Sequence, residues 1–187
     1  MKYELKELTI NLIDDDLYNM YQDIPDGDNG QTNEAYHISK NEFRNYIINQ
    51  IRKKNNKIND KDTPTITYIL YANNKAVGYI CLRTKIDNKW LKWSGNFYYQ
   101  IKKTERRKGY GTKILELGLI KLKKLGFTVV YGQSSKGNIG SAKVIEKNNG
   151  ILIEEIEGSR YYKINLWEEV YDKIRYRANK RRWYNIN

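Results

Sequence analysis

A mixed α+β domain, a largely antiparallel sheet flanked by amphipathic helices, is the fold class this sequence predicts. Three observations carry it. Thr65 to Tyr71 and Ala76 to Thr84 both read as strands, and Asn73-Asn74 between them suits the tight turn of a hairpin. Ser39-Lys40-Asn41-Glu42 is a capping box ahead of Phe43, Tyr46 or Ile47, and Ile51 at helical spacing. A strand-like Asn96 to Ile101 then runs through a glycine-containing loop straight into an amphipathic stretch, Gly109 to Leu125. With 187 residues and 40% apolar content, one compact domain with a real core is expected.

The remaining elements follow in order. Tyr3 to Thr9 reads as a first strand and Asn11 to Asp23 as a first helix, ended by the turn-rich Pro25-Asp26-Gly27-Asp28-Asn29-Gly30. A polar loop, Lys53 to Asp62, separates the second helix from the hairpin. The helix from Gly109 places Ile114 or Leu115, Gly118, Leu122 and Leu125 on one stripe, with Lys121, Lys123 and Lys124 near its negative end and Gly126 as its stop. A strand from Phe127 to Tyr131, a helix from Ile139, and closing strands Ile151 to Ile156 and Arg160 to Leu166 complete the pattern.

Charge is distributed unevenly. Residues 1 to 35 hold two lysines against nine acids, a formal charge of −7, which leaves +19 on the rest of a chain whose total is +12. A basic body attracts a polyanionic ligand, and an acidic N-terminal portion attracts an ammonium group; the alternative for both is an ordinary solvated face. No apolar run reaches the length of a membrane span, and Met1-Lys2-Tyr3-Glu4 has no signal-peptide core, so a cytoplasmic protein with no membrane association is expected. The single Cys81 has no internal disulfide partner and sits mid-strand as a core residue. One histidine and one cysteine do not build a usual zinc site, so no metal is expected.

The segment Glu105-Arg106-Arg107-Lys108-Gly109-Tyr110-Gly111-Thr112 reads as a phosphate cradle. The first N–H groups of the helix that follows have no intrahelical partner, and the glycines let backbone approach an anion. It is not a P-loop, since no Lys-Ser or Lys-Thr follows the glycines, and Ile114 stands where a dinucleotide fingerprint needs its third glycine.

Arg106, Gly109 and Gly111 resemble the acetyl-CoA motif of the GNAT superfamily of acyl-CoA N-acyltransferases. Asn138 to Gly150, with Ser141-Ala142-Lys143-Val144-Ile145-Glu146-Lys147 at its centre, is similar to the second motif of that superfamily and lies downstream at the expected distance. The likeness is nearest to a branch of predicted bacterial acetyltransferases and spans about Tyr3 to Leu166. It implies the GNAT fold, a central mixed and mostly antiparallel sheet flanked by helices, and transfer of the acetyl group of acetyl-CoA to a primary amine. Main-chain N–H groups of Arg107, Lys108, Gly109, Tyr110, Gly111 and Thr112 would hold the diphosphate, with Arg106 and Lys108 as cations on the cradle. The strand edge Tyr99, Gln100 and Ile101 would pair with the pantetheine amides. Asn138 would bond the pantetheine or acetyl region, and Ser141 would lie toward the phosphate end.

For the chemistry, the resemblance implies attack of a neutral amine on the thioester, with the Tyr99 backbone N–H stabilising the oxyanion. The strand position that carries a glutamate base in some members falls at Gly95, and the tyrosine that acts as general acid in others falls at Ile145. His37, which titrates in the right range, and the Tyr98 hydroxyl are the candidate proton carriers, and Asp26, Asp28 and Glu34 are candidates for binding the cation of the acceptor.

Residues 167 to 187 lie outside the resemblance. Trp167, Val170 or Tyr171, and Ile174 have helical spacing and are followed by Lys173, Arg175, Arg177, Lys180, Arg181 and Arg182 with Tyr176, Trp183 and Tyr184 interleaved. A C-terminal helical extension that packs on the domain or makes a homodimer is one expectation. The other is a nucleic-acid surface, which would make the protein an RNA- or ribosome-associated module on a GNAT scaffold.

Overall fold

The structure is a computed structural model and describes residues 1–54, 63–85 and 95–167. Of the helical extension expected over 167–187, all but Trp167 lies outside the described residues. In chain order the elements are β1 (Tyr3–Glu7), α1 (Asp15–Gln22), α2 (Lys40–Arg52), β2 (Thr65–Ala72), β3 (Lys75–Arg83), β4 (Phe97–Ile101), α3 (Tyr110–Lys124), β5 (Val129–Ser135), α4 (Ile139–Lys147), β6 (Ile151–Ile156) and β7 (Ser159–Asn165). Short 3-10 turns occupy Ile10–Leu12, Asp28–Gly30 and Lys103–Glu105.

The hairpin forms as its turn residues dictate. Asn73 and Asn74 take φ of 48° and 64°, the left-handed pair that matches the twist of β2 and β3. β1 adds to β2 and β4 to β3, giving an antiparallel sheet in the order β1-β2-β3-β4. Strand alternation then builds two cores, one on each face. Leu70, Ile80 and Leu82 pack with Ile114, Leu115 and Leu122 of α3. Ile69, Tyr79 and Cys81 pack with Leu17, Met20 and Tyr21 of α1 and Phe43 and Ile47 of α2. Tyr21 stacks on Tyr79 with ring centroids 5.1 Å apart.

The other three strands form a separate antiparallel sheet, β5-β7-β6, so the expected single sheet is divided in two. Asn96 joins the halves. Its C=O accepts from Arg83 N–H at 2.8 Å, while its N–H donates to Tyr131 C=O at 2.7 Å and its Oδ1 accepts from Tyr131 N–H at 2.7 Å. Gly95, at φ +63°, makes the bend that allows this, because a Cβ there would lie 2.8 Å from the Tyr131 oxygen. Among the described residues no strand pairing joins β4 to β5 beyond Asn96, and none covers that edge of β4.

Several local expectations are corrected. The first helix begins at Asp15, not Asn11, because Asp14 Oδ1 accepts from Leu17 N–H at 2.8 Å and caps it. The second helix keeps its capping box, with Ser39 and Glu42 bonded reciprocally. Leu125, expected on the buried stripe of α3, is 50% exposed, since the chain turns away at Gly126 (φ +91°) and Leu119 is buried instead. The next strand runs from Val129 to Ser135 and not from Phe127. No helix among the described residues is long and apolar enough to cross a membrane.

Candidate active site

A cavity of about 880 Å³ opens along the free edge of β4 and runs to the N-terminus of α3. Arg106, Arg107, Gly109, Tyr110, Gly111 and Thr112 line one end of it. Arg107 (φ 64°) and Gly109 (φ +86°) both adopt left-handed backbone, which turns successive N–H groups inward, and no side chain caps the helix. Gly111 allows a close approach, since a Cβ there would sit 3.1 Å from Val144 Cγ2. Asn138 and Ser141, from the start of α4, line the same cavity: Asn138 Oδ1 accepts from Ser141 N–H at 2.9 Å, and the Ser141 hydroxyl accepts from the Tyr99 hydroxyl at 3.3 Å.

The hydrogen bonds at its two ends fix which way the β4 backbone faces. Arg83 N–H donates to Asn96 C=O, and Lys102 N–H donates to Val77 C=O, with Ile80 opposite Tyr99 between them. Even-numbered residues of β4 therefore bond to β3, and the N–H groups of Tyr99 and Ile101 face the open edge. Gln100 departs from expectation here. Its main chain is directed at Tyr79, so close that a Cβ on Gly78 would collide with its carbonyl oxygen, and it has no backbone group to offer the cavity.

Charge in the cavity is positive. Arg83, Arg106, Arg107, Lys143 and Lys147 line it against Asp28 and Glu105, and both carboxylates are taken up by cations, Asp28 by Arg106 and Glu105 by Lys108 at 2.9 Å. Arg106 Nε also donates to Ile101 C=O at 3.0 Å, so this side chain braces the cradle from behind. Lys108 is not among the lining residues.

The N-terminal acids do not form an open acidic face. Asp16 accepts from Ala76 N–H at 2.6 Å, Asp23 from Thr104 N–H at 3.1 Å, and Asp26 from Asn33 N–H at 2.6 Å. With Asp14, these acids hold backbone in place, while Glu4, Glu7, Asp15 and Asp28 pair with cations. Asp28 alone of the three acceptor-binding candidates lines the cavity, and it is paired; Asp26 shapes its own turn and Glu34 is exposed elsewhere. His37 is exposed, with its ring edge-on to Tyr36 at 4.4 Å, and does not line the cavity.

Neither tyrosine of the reacting edge is poised as a base. The neighbouring Cys81 thiol and burial together push the Tyr98 phenol far above its ordinary range. Burial pushes Tyr99 up to about 12, with the Ser141 bond opposing. Both stay protonated near neutrality.

The model of the acetyltransferase (GNAT) family matches residues 16–151, well over half of the chain. The chain belongs to the GNAT acetyltransferase family. No curated protein matches the sequence. Solved structures share its fold. The Campylobacter jejuni N-acetyltransferase PseH, in complex with acetyl coenzyme A, is 13% identical, with a TM-score of 0.58 over 88% of this chain and 99% of that one. RimL, a ribosomal L7/L12 α-N-protein acetyltransferase in complex with coenzyme A, is 14% identical, with a TM-score of 0.62 over 88% and 94%. A spermidine N-acetyltransferase chimera from Vibrio cholerae and hSSAT is 14% identical, with a TM-score of 0.59 over 89% and 96%.

Within this GNAT domain the two departures noted in the sequence have structural counterparts. Gly95 is a bend with no room for a side chain. Ile145 is fully buried in the core, and Val144 faces the cavity in its place. Asn96 and the side chain of Gln100 were not singled out by sequence reasoning; the Gly95-Asn96 turn signal marks the first, and only strand alternation marks the second.

Proposed function

We propose that this protein transfers the acetyl group of acetyl-CoA to a primary amine, with residues 1–166 as the catalytic domain. The observation that carries the reading is an uncapped, glycine-entered helix N-terminus and an unpaired strand edge sharing one positively charged cavity. Main-chain N–H groups from Arg107 to Thr112 take the diphosphate, and Arg107, Lys143 and Lys147 add cationic charge around it. Tyr99 and Ile101 offer their edge N–H groups to the pantetheine and thioester, and Asn138 and Ser141 lie across from them.

The neutral amine nitrogen forms a bond to the thioester carbon while the Tyr99 N–H stabilises the oxyanion. The C–S bond then breaks, the amide keeps the acetyl group, and the proton lost by nitrogen ends on the departing sulfur through solvent. No protein acid is required, because a thiol titrates near 8.5 and leaves readily as thiolate. The reacting edge has no carboxylate among the described residues and its tyrosines are held neutral, so the deprotonated amine must be drawn from solution or stripped through water.

The test is release of free coenzyme A from acetyl-CoA in the presence of primary amines, read with a thiol reagent. Cys81 is buried and its thiol is pushed up by burial, so the folded protein gives little background. Amine-dependent release is expected; its absence across chemically diverse amines would overturn the reading. The nucleic-acid alternative rests on residues 167–187, of which all but Trp167 lie outside the described residues, and no observation among the described residues favours it.

A further inference from the structure

The loop that carries Asp28 is anchored at its neck and exposed at its tip. At the neck, Asn33 is 2% exposed; its Nδ2 donates to Tyr21 C=O at 2.8 Å and to Ile24 C=O at 2.6 Å, and its N–H donates to Asp26 Oδ1 at 2.6 Å. Asp23 pins the same end to the connection between β4 and α3, its C=O accepting from Lys103 N–H at 2.8 Å and its carboxylate from Thr104 N–H at 3.1 Å. Between these anchors, residues 27–32 have no apolar side chain to bury. Gly27 and Gly30 take φ of 70° and 75°, and a Cβ on either would meet nothing within 4 Å, so packing does not locate the tip.

The tip still lines the cavity, through Asp28, Gly30 and Gln31. It follows α1, which packs on the face of the sheet opposite α3, so it borders the approach to the thioester that the cofactor leaves to the amine. Among the described residues, one bond reaches from the tip to anything beyond its own loop: the Asp28 carboxylate accepts from Arg106 Nη2. The two side chains are 25% and 32% exposed, so the pair is shielded from the full solvent screening that makes exposed pairs weak. Arg106 Nε donates in turn to Ile101 C=O at 3.0 Å, at the end of β4, and Arg107 beside it begins the cradle. A planar guanidinium that keeps both bonds fixes where the tip stands relative to the strand that presents the thioester.

Resting on the acetyltransferase reading, we propose that Asp28 is a positioning residue for the amine acceptor: through Arg106 it latches the 27–32 tip to the end of β4. It acts through the arginine and does not bind the acceptor's ammonium, the role its place in an acidic loop suggests, because that charge is already taken up by Arg106. The latch governs the KM of the acceptor and leaves acetyl-CoA affinity nearly unchanged, since the cofactor's partners are backbone groups of the cradle and of the β4 edge.

Hydrogen exchange and steady-state kinetics on the full chain test this together. In Asp28→Ala the Gly30 and Gln31 amides should exchange about tenfold faster than in wild type while α1 and α2 keep their protection, because the Asn33 neck is intact. Acetyl-CoA affinity, measured by calorimetry, should stay within about twofold, and at saturating acetyl-CoA the KM of spermidine and of phenethylamine should both rise about tenfold. Arg106→Leu should raise the same KM values, and Asp28→Ala added to it should raise them no further. Unchanged exchange in Asp28→Ala would overturn the latch. So would a KM rise confined to spermidine, or a lower spermidine KM in Arg106→Leu, because a carboxylate that binds the acceptor directly acts on spare positive charge and is released when Arg106 is removed. The exchange result does not depend on turnover, whereas the acetyltransferase reading fails only if acetyl-CoA is not bound or no amine of any class is acetylated.

Discussion

Gly132→Ala tests whether the cleft depends on how β4 and β5 meet at its apex. A Cβ on Gly132 would lie 2.6 Å from Phe97 Cζ, and 3.2 Å and 3.4 Å from Cε1 and Cε2. Carbon atoms sit comfortably about 3.5–4.0 Å apart, so the ring must retreat by about 1 Å. Phe97 is buried, and it stands between the Asn96 junction and Tyr99. The displacement therefore passes into the strand that presents the oxyanion N–H. Overpacking costs about 1–3 kcal/mol, offset by about 0.4–1 kcal/mol from the stiffer unfolded chain. A net loss of about 1–2 kcal/mol in urea unfolding is expected. A misplacement of this size costs on the order of 10²-fold in kcat. Phe97→Leu in the same background makes room, so the double mutant should recover most of the stability, a coupling that a cycle measures directly. Gly118→Ala is the control: its Cβ meets Ile80 Cδ1 at 2.7 Å, a side-chain tip that can rotate, and the helix gains about 1 kcal/mol. Wild-type stability and turnover in Gly132→Ala, or no coupling to Phe97, would refute the reasoning.

Asn96→Ala removes the acceptor of Tyr131 N–H and should cost about 1–3 kcal/mol in urea unfolding, with a loss of acetyl-CoA affinity as the two sheets part. His37→Ala should stay within about twofold of wild type in kcat/KM and leave the pH profile of kcat/KM unchanged, because the ring lies outside the cavity. Tyr99 gives a pH prediction with a definite sign. Its folded pKa of about 12 exceeds the unfolded value of 10.0, so the stability it contributes is intact below pH 10 and lost as pH rises through 12. Wild type should lose stability over that window more steeply than Tyr99→Phe. Below it, kcat/KM should rise with pH as the acceptor amine deprotonates, with no limb from either tyrosine.

The parts of this fold that depend on local chemistry were legible in the sequence. Asn73-Asn74 announces a turn that needs two left-handed residues, Ser39 and Glu42 announce a reciprocal cap, and Gly109 and Gly111 announce a helix entrance open to an anion. What was not legible depends on partners distant in the chain. The division of the sheet at Asn96 is decided by Tyr131, 35 residues away. Asp23, Asp26 and Asp28 look like an acidic surface until the loops they bond are folded beside them. Leu125 fits the helical stripe in spacing, and only the turn at Gly126 carries it out of the core. His37 was attractive as the one histidine, but titration range says nothing about placement. Gln100 was read as backbone, since a strand edge suggests pairing; which residues face the edge is set by register, and register is a property of β3 and β4 together.

Calorimetric titration of acetyl-CoA into the purified chain, with desulfo-coenzyme A and ATP as comparison ligands, tests the central claim most directly. One-site binding of acetyl-CoA and desulfo-coenzyme A that ATP does not reproduce is the predicted result, because the cradle is continuous with a strand edge that only a pantetheine arm can use. Binding of ATP as tight as that of acetyl-CoA, or no binding of acetyl-CoA to a sample that is demonstrably folded, would contradict it.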